Sequence, residues 1–313
     1  MKALTAPTLL PEITLDTSAT DFHPIRSVQG GHHHRSAAMS VATDAIDRRI
    51  ALSNVLGGGQ EGTSMRIGVA GITGRMGSML ADQLRAAGET VSGGTGLRGA
   101  GSLPDIAALA AVSDVVIDFT HANATGKHAA AMAAAGKPWV IGTSGLSDAD
   151  EAALHRAAER IAVVYAANFA PGASLVMALA ERMAAALPKE TYDAEIVEMH
   201  HRQKIDAPSG TAIGMGRAVA RGRGQDFNAV IDSGRHGHTG PRVTGSIGFA
   251  SLRGGQVVGE HTLIFAAGSE HVAITHRAFD RAAFAEGAVL AAKWVVGRPV
   301  GLYSMLDVLG VRI

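Results

Sequence analysis

Beyond Arg66 the apolar positions fall into short continuous runs separated by longer stretches of helical period. Arg66-Ile-Gly-Val-Ala70 reads as a buried strand, followed by a glycine turn and a helix to about Ala87. Further strands are expected around Val91, over Val112–Thr120, from Trp139 with an exit loop to Ser144, and over Ile161–Tyr165. Helices are expected over Ala122–Ala135 and Ser147–Arg160, the second capped by Ser147 and Asp148. Strands that alternate with alanine-rich helices predict an α/β unit of Rossmann type, a doubly wound parallel sheet.

After residue 170 the period changes. Ala194-Glu-Ile-Val-Glu198 alternates like a half-buried strand, and Pro208-Ser-Gly-Thr-Ala212 opens a helical run to Ala220. Val243–Ala250, Gln256–Ala266 and Glu270–Arg277 alternate like antiparallel strands, with turn residues Gly254-Gly255 and Gly268-Ser269 between them. The pattern is that of a second, α+β domain with a mixed or antiparallel sheet. A last helix, Asp280–Val296, is rich in alanine and carries too little large apolar surface for a core of its own. It is expected to pack back on the first domain.

Residues 1–64 keep neither period, contain Gly30-Gly31 and Gly57-Gly-Gly59, and are expected to be mostly disordered. Met65, directly before the first strand, is an alternative translation start, and acidic residues such as Glu12 and Asp16 argue against an organelle transit peptide. His32-His33-His34 in a glycine-flanked loop is a weak metal signal, and His236 and His238 lack a carboxylate or cysteine at ligand spacing. No metal is expected.

Composition narrows the classes. At 313 residues the chain has room for two domain cores, and 28 basic against 28 acidic side chains leave no footprint for nucleic acid or an anionic membrane. No apolar run reaches membrane-spanning length and the N-terminus lacks a secretory pattern, so a cytoplasmic location is expected. The absence of cysteine excludes disulfides, thiolate nucleophiles and zinc–thiolate sites.

Two stretches carry chemistry. In the first, Gly71-Ile72-Thr73-Gly74-Arg75-Met76-Gly77, Thr73 replaces the middle glycine of the generic G-x-G-x-x-G. The physical requirements are still met: Gly71 permits the turn, Gly74 lets backbone approach a pyrophosphate, and Gly77 allows close helix–strand contact. Sheets of this kind bind ligands beyond the carboxyl ends of their strands, here Phe119-Thr120, Gly142-Thr143-Ser144 and Ala166-Ala167-Asn168-Phe169. Residues 65–169 are therefore read as a dinucleotide-binding domain. An acid at the end of the second strand would bind the ribose of NAD, whereas arginine accommodates the phosphate of NADP. Val91-Ser-Gly-Gly-Thr-Gly-Leu-Arg98 contains no acid, so NADPH is the expected cofactor and NADH the second, with Arg98 as the phosphate partner and Arg75 as another.

The second stretch, Glu198-Met-His-His-Arg-Gln-Lys-Ile-Asp-Ala-Pro-Ser-Gly-Thr211, places two histidines and a lysine where a strand ends and a helix begins. Asp206 and Ser209 offer capping oxygens, and Pro208 fits an early helical position. Unpaired amides around Ser209, Gly210 and Thr211 favour an anion, Lys204 adds a cation, and His200 and His201 exchange protons near neutral pH. Such a stretch suits a small acidic substrate. Adjacent strand residues face opposite sides, so both histidines reach one ligand only if the strand has already ended.

From about Arg66 to its C-terminus the chain resembles the 4-hydroxy-tetrahydrodipicolinate reductases, also called dihydrodipicolinate reductases. The resemblance is carried by Gly71–Gly77, Asp118-Phe-Thr120, Gly142-Thr-Ser-Gly145, Ala166–Phe169, Glu198–Thr211 and Gly237-His-Thr-Gly240. It implies NAD(P)H-dependent reduction of a cyclic dicarboxylate in lysine and diaminopimelate biosynthesis. It further implies His200 as proton donor and acceptor, Lys204 as second proton donor, and His201, Gly210 and Thr211 as the substrate grip. Cofactor contacts are implied at Gly71–Met76, Gly142–Ser144 and Ala166–Phe169. By the same resemblance 170–280 is a substrate-binding and oligomerisation domain of a homotetramer, 281–313 returns to the first domain, and a hinge closes the two. Gly234–Gly240 is a candidate lid or substrate loop. Two departures stand out: the acidic ribose ligand is missing, with Gly96 near its place, and the leader has no counterpart. The rival readings are another two-domain NADP-dependent dehydrogenase and an NADPH-sensing regulator. A sensor needs only the glycine turn and leaves His200, Lys204 and Ser209–Thr211 without a task.

Overall fold

The computed structural model describes residues 64–96 and 102–312. The expected disordered leader up to residue 63, its His32–His34 run and Arg98 lie outside the described residues.

The first half runs β1 (Arg66–Ala70), α1 (Arg75–Ala86), β2 (Thr90–Thr95), α2 (Ile106–Val112), β3 (Val115–Asp118), α3 (Thr125–Ala135), β4 (Trp139–Ile141), α4 (Asp148–Ala158) and β5 (Ala162–Tyr165). The second runs α5 (Pro171–Ala186), β6 (Asp193–His200), α6 (Gly210–Gly222), α7 (Phe227–Val230), β7 (Ile231–Ser233), β8 (Ile247–Arg253), β9 (Gly259–Ala266) and β10 (His271–Ala278). The chain closes with α8 (Ala282–Val295), β11 (Gly301–Tyr303) and α9 (Met305–Val308).

The first sheet is wholly parallel, in the order β11-β5-β4-β3-β1-β2. Its central strands are buried on both faces, which is why Val115-Val-Ile and Trp139-Val-Ile read as unbroken apolar runs. The expected strand from Val112 begins three residues later. Val112 instead ends α2, a helix capped by the Asp105 carboxylate, which accepts the Ala108 N–H at 2.9 Å. Asp114 is held outside by Arg66 at 2.7 Å.

The second sheet is mixed, in the order β10-β9-β6-β8-β7. Here the expected order of strands is corrected. β8 and β9 run antiparallel but are not neighbours, because β6 lies between them, parallel to β8 and antiparallel to β9. Gly254 and Gly255 therefore close no hairpin. They receive the chain leaving β6, through Gly254 N to His200 O at 2.9 Å and Arg202 N to Gly255 O at 3.3 Å. Gly268 and Ser269 do join paired strands. β8 starts at Ile247 rather than Val243, which is 73% exposed. Along β6, Ala194, Ile196, Glu198 and His200 share the buried face, and a core of Ala180, Met215, Val219, Leu263 and Phe265 packs there.

Helix α8 lies on the first sheet, with Ala285, Ala288, Ala291 and Ala292 in one core with Ile67, Val69 and Ile117. Its small residues let backbone touch backbone: a Cβ on Gly287 would stand 1.8 Å from the Phe169 carbonyl oxygen. Gly287→Ala should therefore destabilise the fold by about 1–3 kcal/mol, the usual cost of overpacking. Urea melts check this, and an unchanged midpoint would contradict the close approach.

Candidate active site

β6 ends at His200, so His201 has left the strand and both rings line one cleft of about 450 Å³. The strand-parity condition on the two histidines is met by where the strand stops. The organising group is Glu198, two residues before His200 on the same face and only 1% exposed. Its Oε2 accepts from His200 Nδ1 at 2.6 Å and Arg253 Nη1 at 2.9 Å, and its Oε1 from Arg253 Nη2 at 2.9 Å and Ser209 N at 3.2 Å. Burial alone would raise this carboxyl, but the donors, led by Arg253, hold it at about 2. An ionised carboxylate only accepts, so His200 Nδ1 carries a proton and Nε2 is the nitrogen free to exchange one. Burial pushes His200 down, and the Glu198 charge partly restores it. Gly259 clears space beside that nitrogen, since a Cβ there would stand 3.0 Å from His200 Nε2.

Ser209, not Asp206, is the N-cap of α6, its Oγ accepting the Ala212 N–H at 3.2 Å. Pro208 precedes the cap instead of entering the helix, joined to Ala207 by a cis peptide. Ser209 N is taken by Glu198, so the anion-seeking amides reduce to those of Gly210 and Thr211. Thr211 Oγ1 accepts from Asn168 Nδ2 at 3.2 Å and keeps its own proton to donate. His201 is half-buried, with its Nε2 3.4 Å from Arg281 Nη2 and its buried Nδ1 without a partner among the described residues. Lys204 lines the same cleft, but its Nζ is chelated by Asp206 at 2.9 Å to each carboxylate oxygen. Arg217 and Arg281 line it too, and among the described residues no carboxylate does.

Ser144, Ala167 and Asn168 reach this cleft from the first sheet. The other expected cofactor residues among the described ones lie at the exits of β1, β3, β4 and β5. The N-terminus of α1 has no side-chain cap, and Thr73, Gly74 and Arg75 are exposed there, a fit for a pyrophosphate. Gly71 has φ +82° and, like Ile72, donates its N–H to Thr95 O at 2.9 Å. Ile72 and Met76 turn their side chains against the core. Gly77 could carry no side chain, since a Cβ would lie 2.1 Å from Gly71 O. Buried Asp118 shapes the next exit, accepting from Thr120 N at 3.0 Å and Thr120 Oγ1 at 2.7 Å and pairing with His128 at 2.7 Å. Thr143 Oγ1 then donates to Thr120 O at 3.1 Å. Phe119 covers Gly142 and meets Phe169 at 5.5 Å between ring centroids. Thr143 and Phe169 are buried, whereas Ser144, Ala167 and Asn168 line the cleft. At the end of β2 a Cβ on Gly96 would crowd the exposed Thr73 side chain, 2.4 Å from its Oγ1.

The loop Gly234–Gly240 does not line the cleft. Arg235 bonds Glu195, and Arg242 bonds Glu195 and Asp193, each at 2.8 Å, at the opposite end of β6 from His200. Arg253, His261, Arg217 and Arg281 were not anticipated as site residues, and Glu198 was read only as part of the motif. Period two along β6 would have placed Glu198 beside His200. The others sit on different elements, and nothing local announces them.

Residues 65–169 match the family model described as "Dihydrodipicolinate reductase, N-terminus", and residues 172–309 that described as "Dihydrodipicolinate reductase, C-terminus". The chain belongs to the dihydrodipicolinate reductase family. It is 64% identical over 257 residues to the 4-hydroxy-tetrahydrodipicolinate reductase of Granulibacter bethesdensis, covering 80% of this chain and 98% of that one. Against the reductase of Acidiphilium cryptum the identity is 61% over 249 residues, covering 80% and 99%. A dipicolinate-bound dihydrodipicolinate reductase from Paenisporosarcina sp. TG-14 shares the fold, with a TM-score of 0.65 at 24% identity, over 78% of this chain and 99% of that one. GenD2 of gentamicin A biosynthesis, solved with NAD, shares it at a TM-score of 0.52 and 16% identity over 78% and 90%. The fold by itself therefore does not mark the family, which the sequence matches show.

The depressed Glu198 carboxyl has a consequence for stability. Its folded value of about 2 lies below the ordinary 4.5, so the stabilisation is complete above pH 4.5 and is lost as pH falls toward 2. The loss should amount to about 3 kcal/mol. Urea melts across that window should show this slope in the parent and lack it in Glu198→Gln.

Proposed function

We propose that the chain reduces 4-hydroxy-tetrahydrodipicolinate to tetrahydrodipicolinate with NAD(P)H, in lysine and diaminopimelate biosynthesis. The observation that carries the reading is a cleft lined by no carboxylate among the described residues, in which Glu198-held His200 faces the α6 amides and adjoins the strand exits of the first sheet. A cyclic dicarboxylate fits such a lining. One carboxylate rests on the Gly210 and Thr211 amides and the Thr211 hydroxyl, near His201. A bound pyridine nucleotide supplies hydride to C4 of the substrate ring, formally after loss of the 4-hydroxyl. As electron density moves through the conjugated system, the imidazolium form of His200, protonated on Nε2 as well as Nδ1, delivers the compensating proton from Nε2, at a benefit of roughly 10²–10⁴-fold. Lys204 is the second donor once substrate draws its ammonium from Asp206.

NADPH is the proposed cofactor of choice and NADH the second. The absence of an acid at the end of β2, with Gly96 near its place, supports this, because NAD binding favours one there. The assembly proposed is a homotetramer. Val197, Met199 and Ile264 alternate away from the helix-covered face of the second sheet, and Leu252 there is 50% exposed. No helix among the described residues is long and apolar enough to cross a membrane, and a cytoplasmic location is proposed.

Oxidation of NADPH, followed at 340 nm with enzymatically generated substrate, tests the reading. The parent should turn over, and His200→Gln should lose roughly 10²-fold or more in kcat with NADPH affinity nearly unchanged. An inactive parent that still binds NADPH would refute the reaction. Arg98→Ala should weaken NADPH by about tenfold, the scale of one charge-assisted contact, and leave NADH nearly unaffected. Equal losses would remove Arg98 from the phosphate site.

A further inference from the structure

The mechanism above leaves one buried titratable ring unused. His261 lies on β9 directly opposite Glu198, 3% exposed, and is followed along the same face by Leu263 and Phe265. An imidazole in such surroundings is costly unless its polar atoms are engaged. Its Nε2 is 2.8 Å from Ser209 Oγ, and its Nδ1 has no partner among the described residues. The ring also meets His200 edge-on, with centroids 5.1 Å apart.

We propose that His261 is a positioning residue for substrate binding: through the Ser209 hydroxyl it fixes the start of α6, and so aims the Gly210 and Thr211 amides at the substrate carboxylate. Ser209 is gripped at two points. Glu198 Oε1 holds its backbone N–H and His261 holds its hydroxyl, while the hydroxyl oxygen also accepts the Ala212 N–H. A hydroxyl that accepts from Ala212 has its proton to give, and neutral His261 Nε2 receives it. Burial and then the neighbouring His200 charge push His261 down to about 4, so the ring stays an acceptor at working pH. The same carboxylate that orients His200 thus anchors the backbone of the cap whose side chain His261 orients. Proton donor and carboxylate grip are set in one frame, by the Glu198–Thr211 stretch and a histidine 52 residues beyond Ser209.

The inference rests on the reductase reading, and the test separates the two. KM and kcat, together with the affinity of the NADPH-loaded protein for pyridine-2,6-dicarboxylate, are compared in the parent, His261→Leu, His261→Gln, Ser209→Ala and the double variant. His261→Leu should raise KM and weaken the dicarboxylate by about tenfold, while kcat stays within about threefold. His261→Gln, whose amide reaches the Nε2 position, should recover most of the loss. Ser209→Ala should reproduce it, and the double variant should add nothing further. An unchanged KM in His261→Leu or in Ser209→Ala, a fall in kcat alone, or additive losses would overturn the inference. Should His261→Leu not fold, Ser209→Ala decides alone. An inactive parent overturns the reductase reading and this inference with it, whereas an active parent with unaffected variants overturns only the inference.

Discussion

A fully buried, ionised carboxylate is tolerable only when every lone pair that faces the protein is matched by a donor, and the second domain is built around meeting that condition for Glu198. Arg253 comes from β8, His200 from β6 itself and Ser209 from the start of α6. Removing one partner would leave charge uncompensated in the interior, so the three elements are held in one register. The same bonds decide the chemistry. They fix which nitrogen of His200 carries the structural proton, leave the other for exchange, and seat the cap that exposes the α6 amides.

The nucleotide side uses a different device, close approach made possible by missing side chains. Gly77 against the Gly71 backbone and Gly142 against the Phe119 ring leave no room for a methyl group, and Gly96 lies close against the Thr73 side chain. Asp118 ties the β3 exit to α3 through His128, and Thr143 ties the β4 exit to Thr120. The two halves of the site meet at Asn168, whose amide donates to Thr211 Oγ1 while its carbonyl accepts from Ala170 N at 2.9 Å. That residue lies where the chain leaves the first sheet for α5, so its side chain links the start of α6 to the strand exits.

Alanine-rich α8 shows how the end of the chain returns to the core of the first sheet. With small residues along its packed face it contributes little apolar area of its own, yet it lies close enough to the first sheet for Gly287 to touch the Phe169 carbonyl. Close packing, not side-chain size, is what it supplies.

Local pattern carried much of this protein. The unbroken apolar runs of β1, β3, β4 and β5 announced a parallel sheet because strands covered on both faces have no polar side to alternate with. Gly71–Gly77 and Glu198–Thr211 announced a turn and two helix starts because such geometry is a property of a few adjacent residues. Other features were decided only by the folded chain. The insertion of β6 between β8 and β9 was hidden, since alternation reports which face a residue takes but not which strand lies beside it. Whether His200 and His201 share a ligand depended on the residue at which β6 stops, and Lys204 was found chelated by Asp206 in place of facing the cleft unpaired. Arg253 and His261 joined the site through register, from positions more than fifty residues away along the chain. Sequence periodicity is local, whereas pairing of buried charge is satisfied across strands, and only the tertiary structure brings those partners together.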